Sequence, residues 1–94
     1  MNLPTYDDFK KTALAAGFDE VLERCWAPGT VLETHSHPFV VDAVVVQGEM
    51  WLGVEDRIQH LTPGHTFTLT FEQPHTERYG SAGATYWVAR RNTA

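Results

Sequence analysis

Thr30-Val31-Leu32-Glu33-Thr34-His35-Ser36-His37-Pro38-Phe39-Val40-Val41-Asp42-Ala43-Val44-Val45-Val46-Gln47-Gly48 is the stretch that decides the fold class. It follows a Pro28-Gly29 turn, and residues 30 to 35 alternate as a half-buried strand does. Phe39 to Val46 is rich in valine, which is stiff at χ1 and suits a pleated surface. Gln47-Gly48-Glu49 reads as a turn. Upstream, Val21 to Trp26 is short and strand-like. Downstream, Met50 to Val54 alternates, Glu55-Asp56-Arg57 turns, and Ile58 to Leu61 is broken by Thr62-Pro63-Gly64. Thr66 to Phe71 alternates clearly, Glu72-Gln73-Pro74 interrupts, and His75 to Tyr79 resumes. Gly80-Ser81-Ala82-Gly83 reads as a loop before Ala84 to Arg90. About eight short strands with turn signals between them predict an all-β antiparallel sandwich or small barrel. In such a barrel, residues at i and i+2 share a face.

The first turns of the chain read differently. Thr5 is a candidate N-cap, with Asp7 and Asp8 where the helix dipole favours negative charge. Tyr6, Phe9, Ala13 and Ala16 recur at helical spacing, and Gly17 is a plausible stop. The expected division is a helix over residues 1–17 packed on a single barrel domain over residues 18–94. A chain of 94 residues leaves no room for a second core. The hydrophobic fraction, 43%, is too high for a disordered chain.

Seven Lys and Arg against twelve Asp and Glu give a net charge of −5, which argues against nucleic acid as a partner. Lys10-Lys11 and Arg90-Arg91 read as solvated surface. The most nearly apolar run, Phe39 to Val46, is too short to cross a bilayer, so no membrane is expected. The first residues lack a basic start followed by an apolar run, and a lone Cys25 cannot form an internal disulfide. A cytoplasmic location is therefore expected. Cys25 reads as an inert buried thiol.

Three of the five histidines sit where strand geometry makes them meet. His35 and His37 share parity at a strand end, and His75 begins another strand after Pro74. Three neutral imidazoles suit zinc, iron, nickel or copper and leave open positions for water or substrate. A His-x-His pair can equally be a polar pair on an exposed strand face. His60 and His65 read as surface residues.

The segment from Gly29 through His35, His37, Pro38 and Phe39 to Gly48-Glu49 resembles the first motif of the cupins. Leu61-Thr62-Pro63-Gly64-His65 followed by His75 resembles the second. The resemblance runs from about Gly29 to Tyr79 and continues into Tyr86-Trp87-Val88. It implies an RmlC-like double-stranded β-helix, a jelly-roll barrel with a small pocket at its mouth. It also implies one divalent metal, iron, manganese, nickel, zinc or copper, held by His35, His37 and His75. Cupins that have lost a ligand can be metal-free binding pockets. Members of this length resemble one another in pairing as homodimers, and Trp26 and Tyr86 are candidates for such an interface.

The departures from the pattern concern the carboxylate. The first motif normally adds a glutamate shortly after its second histidine. Counting forward from His37 puts that slot at Asp42, and counting back from Gly48 puts it at Val41. Asp42 is thus either a shortened carboxylate ligand aided by a bulge or an outward residue, because one residue of slip reverses a strand's faces. Tyr79 stands where the second motif usually has asparagine, and His65 where it usually has aspartate.

Glu77 and Tyr79 share parity with His75, so both are candidates for catalytic or supporting roles: a carboxylate that orients a histidine or moves a proton, and a phenol for a ligand. Glu77 can equally turn out to solvent beside Arg78, and Tyr79 can be plain core. Among Trp51, Trp87, Phe67, Leu69 and Phe71, some must fill the barrel. Three readings of function stay open. One is a pocket that binds a small polar or carboxylate ligand through the metal. Another is a metal-dependent enzyme of dioxygenase or isomerase and lyase type. The third is a metal-free sensor similar to the effector-binding domain of arabinose-type regulators, with no room for a helix-turn-helix.

Overall fold

In the computed structural model, which describes residues 3–93, helix α1 runs over Tyr6–Ala15. Thr5 Oγ1 accepts a hydrogen bond from the Asp8 amide at 3.1 Å, which satisfies one N–H that the first turn leaves unpaired. Ala13 is its buried residue, set against Val21 and Ala89, with Tyr6, Phe9 and Phe18 around them. Tyr6 meets Trp87 edge to face at 5.5 Å and donates its hydroxyl to the Val21 carbonyl at 3.2 Å. The helix therefore covers the outer face of the strands that carry Val21 and Trp87.

Six strands follow: β1 (Glu20–Trp26), β2 (Val31–His35), β3 (Val40–Val54), β4 (Arg57–Leu61), β5 (Thr66–Leu69) and β6 (His75–Arg91). All pairings are antiparallel. The long strands β3 and β6 pair with each other from Val40 opposite Arg91 to Gly53 opposite Thr76. The first half of β3 and the second half of β6 are flanked by β5 and β1. Their other halves are flanked by β4 and β2. Two four-stranded halves thus share the same two strands, which gives an all-β jelly-roll barrel with a short N-terminal helix.

The strand segments stand where the periodicity puts them, but two of the turns are not turns. Gln47-Gly48-Glu49 lies inside β3, and Gly80 to Gly83 lies inside β6. Gly48 and Gly83 have φ of 73° and 70°. A Cβ on Gly48 would stand 2.0 Å from the Gly83 carbonyl oxygen. The ladder slips between Val45 and Gln47 and again between Gly48 and Met50. These glycines bend two paired strands together at bulges; they do not reverse the chain.

Inward-facing residues of both halves form the core. Met50 and Leu52 are essentially fully buried, and each such side chain contributes about 2 kcal/mol. Phe67 and Leu69 fill the barrel. Trp87 lies under α1, Trp51 is half-buried between Arg78 and His60, and Phe71 is exposed. Cys25 is exposed, contrary to the buried thiol expected, because it has the parity opposite to Arg24 and Trp26 on β1. Among the described residues, no helix is long and apolar enough to cross a membrane.

Candidate metal centre

His35 ends β2 and His75 begins β6, and the two residues are direct cross-strand partners. Their rings stand 4.3 Å apart, and His37, two residues beyond His35, brings a third ring to 4.9 Å from His35 and 5.3 Å from His75. Glu77 shares the buried face of β6 with His75, in line with strand parity. Donor atoms of His35, His37, His75 and Glu77 all lie within 4.8 Å of one another.

Backbone contacts fix how two of these rings present themselves. His35 Nδ1 lies 2.7 Å from the Glu33 carbonyl oxygen, and His75 Nδ1 lies 2.9 Å from that of Gln73. A carbonyl only accepts, so Nδ1 carries the proton and each Nε2 turns to the centre. There Glu77 Oε2 stands 3.1 Å from His35 Nε2 and 3.3 Å from His75 Nε2. The other oxygen, Oε1, accepts a hydrogen bond from the buried Tyr79 hydroxyl. One carboxylate oxygen is thereby committed to the phenol and the other to the imidazoles.

The charges are mutually adjusted. Burial pushes the Glu77 carboxyl up, but hydrogen bonds from His75 and Tyr79 and the positive charge of His75 and His35 outweigh it, and it titrates below its ordinary value. Burial pulls His75 down, yet its bonds to Glu77 and to the Gln73 carbonyl carry it above the ordinary imidazole value. His37 is lowered by burial and by the neighbouring His35 and His75, which favours the neutral ring a metal needs. Burial raises the Tyr79 phenol far out of reach of physiological pH. Three imidazole nitrogens and one carboxylate oxygen form a donor set that suits a borderline divalent ion, so this group could hold a metal.

Asp42 is not among these groups. Val41 faces the cavity, and Asp42 lies on the other face of β3, beside Leu3, Pro4 and Phe9, where burial raises its carboxyl. Val41, the position reached by counting back from Gly48, is the one on the cavity side. The carboxylate near the histidines is Glu77, contributed by β6. His60 and His65 are exposed and remote from the group: His60 Nε2 pairs with Glu49 at 2.8 Å, and His65 Nδ1 accepts from the Thr62 amide.

Beside the group lies a cavity of about 90 Å³, with Phe67 and Leu69 on its apolar side. Trp26 and Tyr86, expected at an interface, line it instead. Trp26 stacks on Tyr79 at 5.4 Å and donates its Nε1 proton to the Tyr86 hydroxyl at 3.2 Å. Arg24 and Arg90 line it too. Arg90 is thus not the solvated surface expected of the Arg90-Arg91 pair, and Arg24 belongs to no motif that singles it out. The available signal was parity, since Arg24 alternates with Trp26, and Arg90 with Tyr86 and Val88.

The sequence matches the AraC-like ligand-binding domain over residues 18–92. The chain belongs to this family. No curated protein matches it in sequence. Among solved structures, that of the DMSP lyases RdDddP and RnDddQII superimposes on this AraC-like domain with a TM-score of 0.70 at 24% identity, over 76% of this chain and 37% of that one. An RmlC-like cupin from Desulfovibrio desulfuricans gives 0.63 at 19% identity, over 79% and 72% of the two chains. Oxalate oxidase in complex with the substrate analogue glycolate gives 0.66 at 21%, over 76% and 40%. At these identities the likeness establishes a cupin fold for the AraC-like domain. The chain spans well under half the length of the lyase and the oxidase.

Proposed function

We propose that this domain holds one divalent metal through His35, His37, His75 and Glu77 and binds a small polar or carboxylate-bearing molecule beside it. The observation that carries this reading is the convergence of four donors on one point, with two imidazoles held by backbone carbonyls in the tautomer that presents Nε2. A bound divalent ion would supply Lewis acidity and open positions for an anionic ligand. The chain's own residues do the rest. Tyr79 holds one oxygen of Glu77, so the carboxylate presents the other. Phe39 stacks on His37 at 4.9 Å and limits its rotation. The apolar wall of Phe67 and Leu69 lowers the local dielectric, which strengthens each polar contact beside it.

Elemental analysis of protein prepared without chelator tests the reading. About one equivalent of metal is expected in the native protein, and His35→Ala, His37→Ala and His75→Ala should each lose it. Unchanged metal content in all three overturns the assignment. Oxygen uptake or lyase turnover by the loaded protein would extend the reading to an enzyme, a lyase and an oxidase among the structural neighbours being the reason to look. Membership of the AraC-like family favours a second reading, a metal-free sensor. Thermal shifts of metal-free protein with sugars and carboxylates test that one. Pairing of two copies is proposed as well, and a monomer by light scattering would remove it without touching the site.

A further inference from the structure

We infer that Arg24 and Arg90 form an anion-binding wall of the same cavity, and that its ligand is a small diacid with one acidic group for the metal centre and one for a guanidinium. The inference rests on the metal reading above and adds a ligand class to it. Only seven Lys and Arg occur in this acidic chain, and two of them line its 90 Å³ cavity. Neither is matched by a carboxylate there. Arg24 makes no ion pair among the described residues and lies 4.9 Å from the centroid of the Trp26 ring. Arg90 reaches Glu20 with one terminal nitrogen at 3.4 Å, while its Nε is buried without a hydrogen-bond partner; its guanidinium lies 4.5 Å from the Phe39 ring centroid.

Aromatic contacts of this kind hold a guanidinium in place but supply no acceptor oxygen. Arg24, half-buried with no carboxylate partner, and Arg90, whose Nε is unmet, would both be stabilised by an anion in the cavity. With a divalent ion in the centre, Glu77 cancels part of its charge and Glu20 offsets Arg90, while Arg24 adds a charge with no partner, and the surplus that remains is balanced better by a dianion than by a monoanion. Size completes the argument: 90 Å³ is far below the roughly 300 Å³ at which drug-sized pockets begin. It fits a molecule of a few heavy atoms, of the size of malonate or succinate.

The test is calorimetric titration of zinc-loaded and metal-free protein with malonate and succinate, against propionate and butyrate of equal carbon count. The diacid is expected to bind about tenfold more tightly than the monoacid, the worth of one charge-assisted hydrogen bond. In Arg24→Gln or Arg90→Gln that preference should collapse, the diacid losing more affinity than propionate, while zinc content stays at about one equivalent. Arg24→Met and Arg90→Met keep the apolar stem and give the same readout where a glutamine variant fails to fold. Equal affinity for diacid and monoacid in the native protein overturns the inference, as does a preference that survives at both arginines or absence of malonate binding in both preparations. Failure of the metal reading shows separately, as zinc content in the native protein no higher than in His75→Ala. The metal-free titration then still decides whether the arginines select the diacid.

Discussion

Among the described residues a glutamate meets histidine in two settings, one exposed and one buried, and the two have opposite consequences. Glu49 and His60 approach to 2.8 Å on the exposed face of β3 and β4, while Glu77 meets His35 and His75 at 3.1 and 3.3 Å inside the barrel. The shorter contact is the less consequential one. His60 has an indole stacked on it and is about half exposed. Glu77 is 6% exposed and His75 3%, a phenol holds the second oxygen of Glu77, and a third imidazole closes the group. Convergence and burial, more than separation, turn an acid–imidazole contact into a candidate metal centre.

The strongest way to break this contrast is to remove one histidine from each setting. His75→Ala should abolish metal retention, and His60→Ala should leave it at about one equivalent, both read by elemental analysis. Next comes the carboxylate. Glu77→Gln should weaken metal binding about 100-fold and destabilise the fold by about 3 kcal/mol, because a buried partner is withdrawn. Glu49→Gln should cost less than about 1 kcal/mol in urea unfolding, as surface pairs do. Tyr79→Phe is expected to sharpen the picture with a smaller effect. It leaves Glu77 Oε1 without its donor and should weaken metal binding about tenfold, with about 1 kcal/mol lost in stability.

The smallest effect is the pH dependence of the metal-free protein. The raised His75 stabilises the fold fully below its ordinary value of 6.5, and this is lost as pH climbs through its folded value. The lowered Glu77 stabilises above its ordinary value of 4.5, and this is lost as pH falls through its folded value. The lowered His37 works against folding in acid and offsets part of the His75 gain. Melting temperature in chelator should therefore fall on the acid side, mainly through Glu77, and that fall should shrink in Glu77→Gln and persist in Glu49→Gln.

Parity made much of the fold and part of the site readable in the sequence. The strand segments and the shared face of His75, Glu77 and Tyr79 follow from alternation alone. The continuity of β3 and β6 does not, because a glycine among polar residues marks a bulge and a reversal equally well. Asp42 was ambiguous because Ser36 to Phe39 belong to no strand, so parity is not carried from His37 into β3. The role of Glu77 depends on the register that sets His35 against His75, which is information between strands and not within one. The arginines were hidden by a charge argument that treats basic residues as surface.

Cys25 is the chain's single thiol and is solvent-accessible, while Arg24 and Trp26 on either side of it turn inward. A dye coupled to that sulfur would ride on the outer skin of the strand whose inner skin touches whatever enters. The unaltered protein thus brings its own attachment point for an optical reporter, and occupancy could be followed without engineering a residue anywhere.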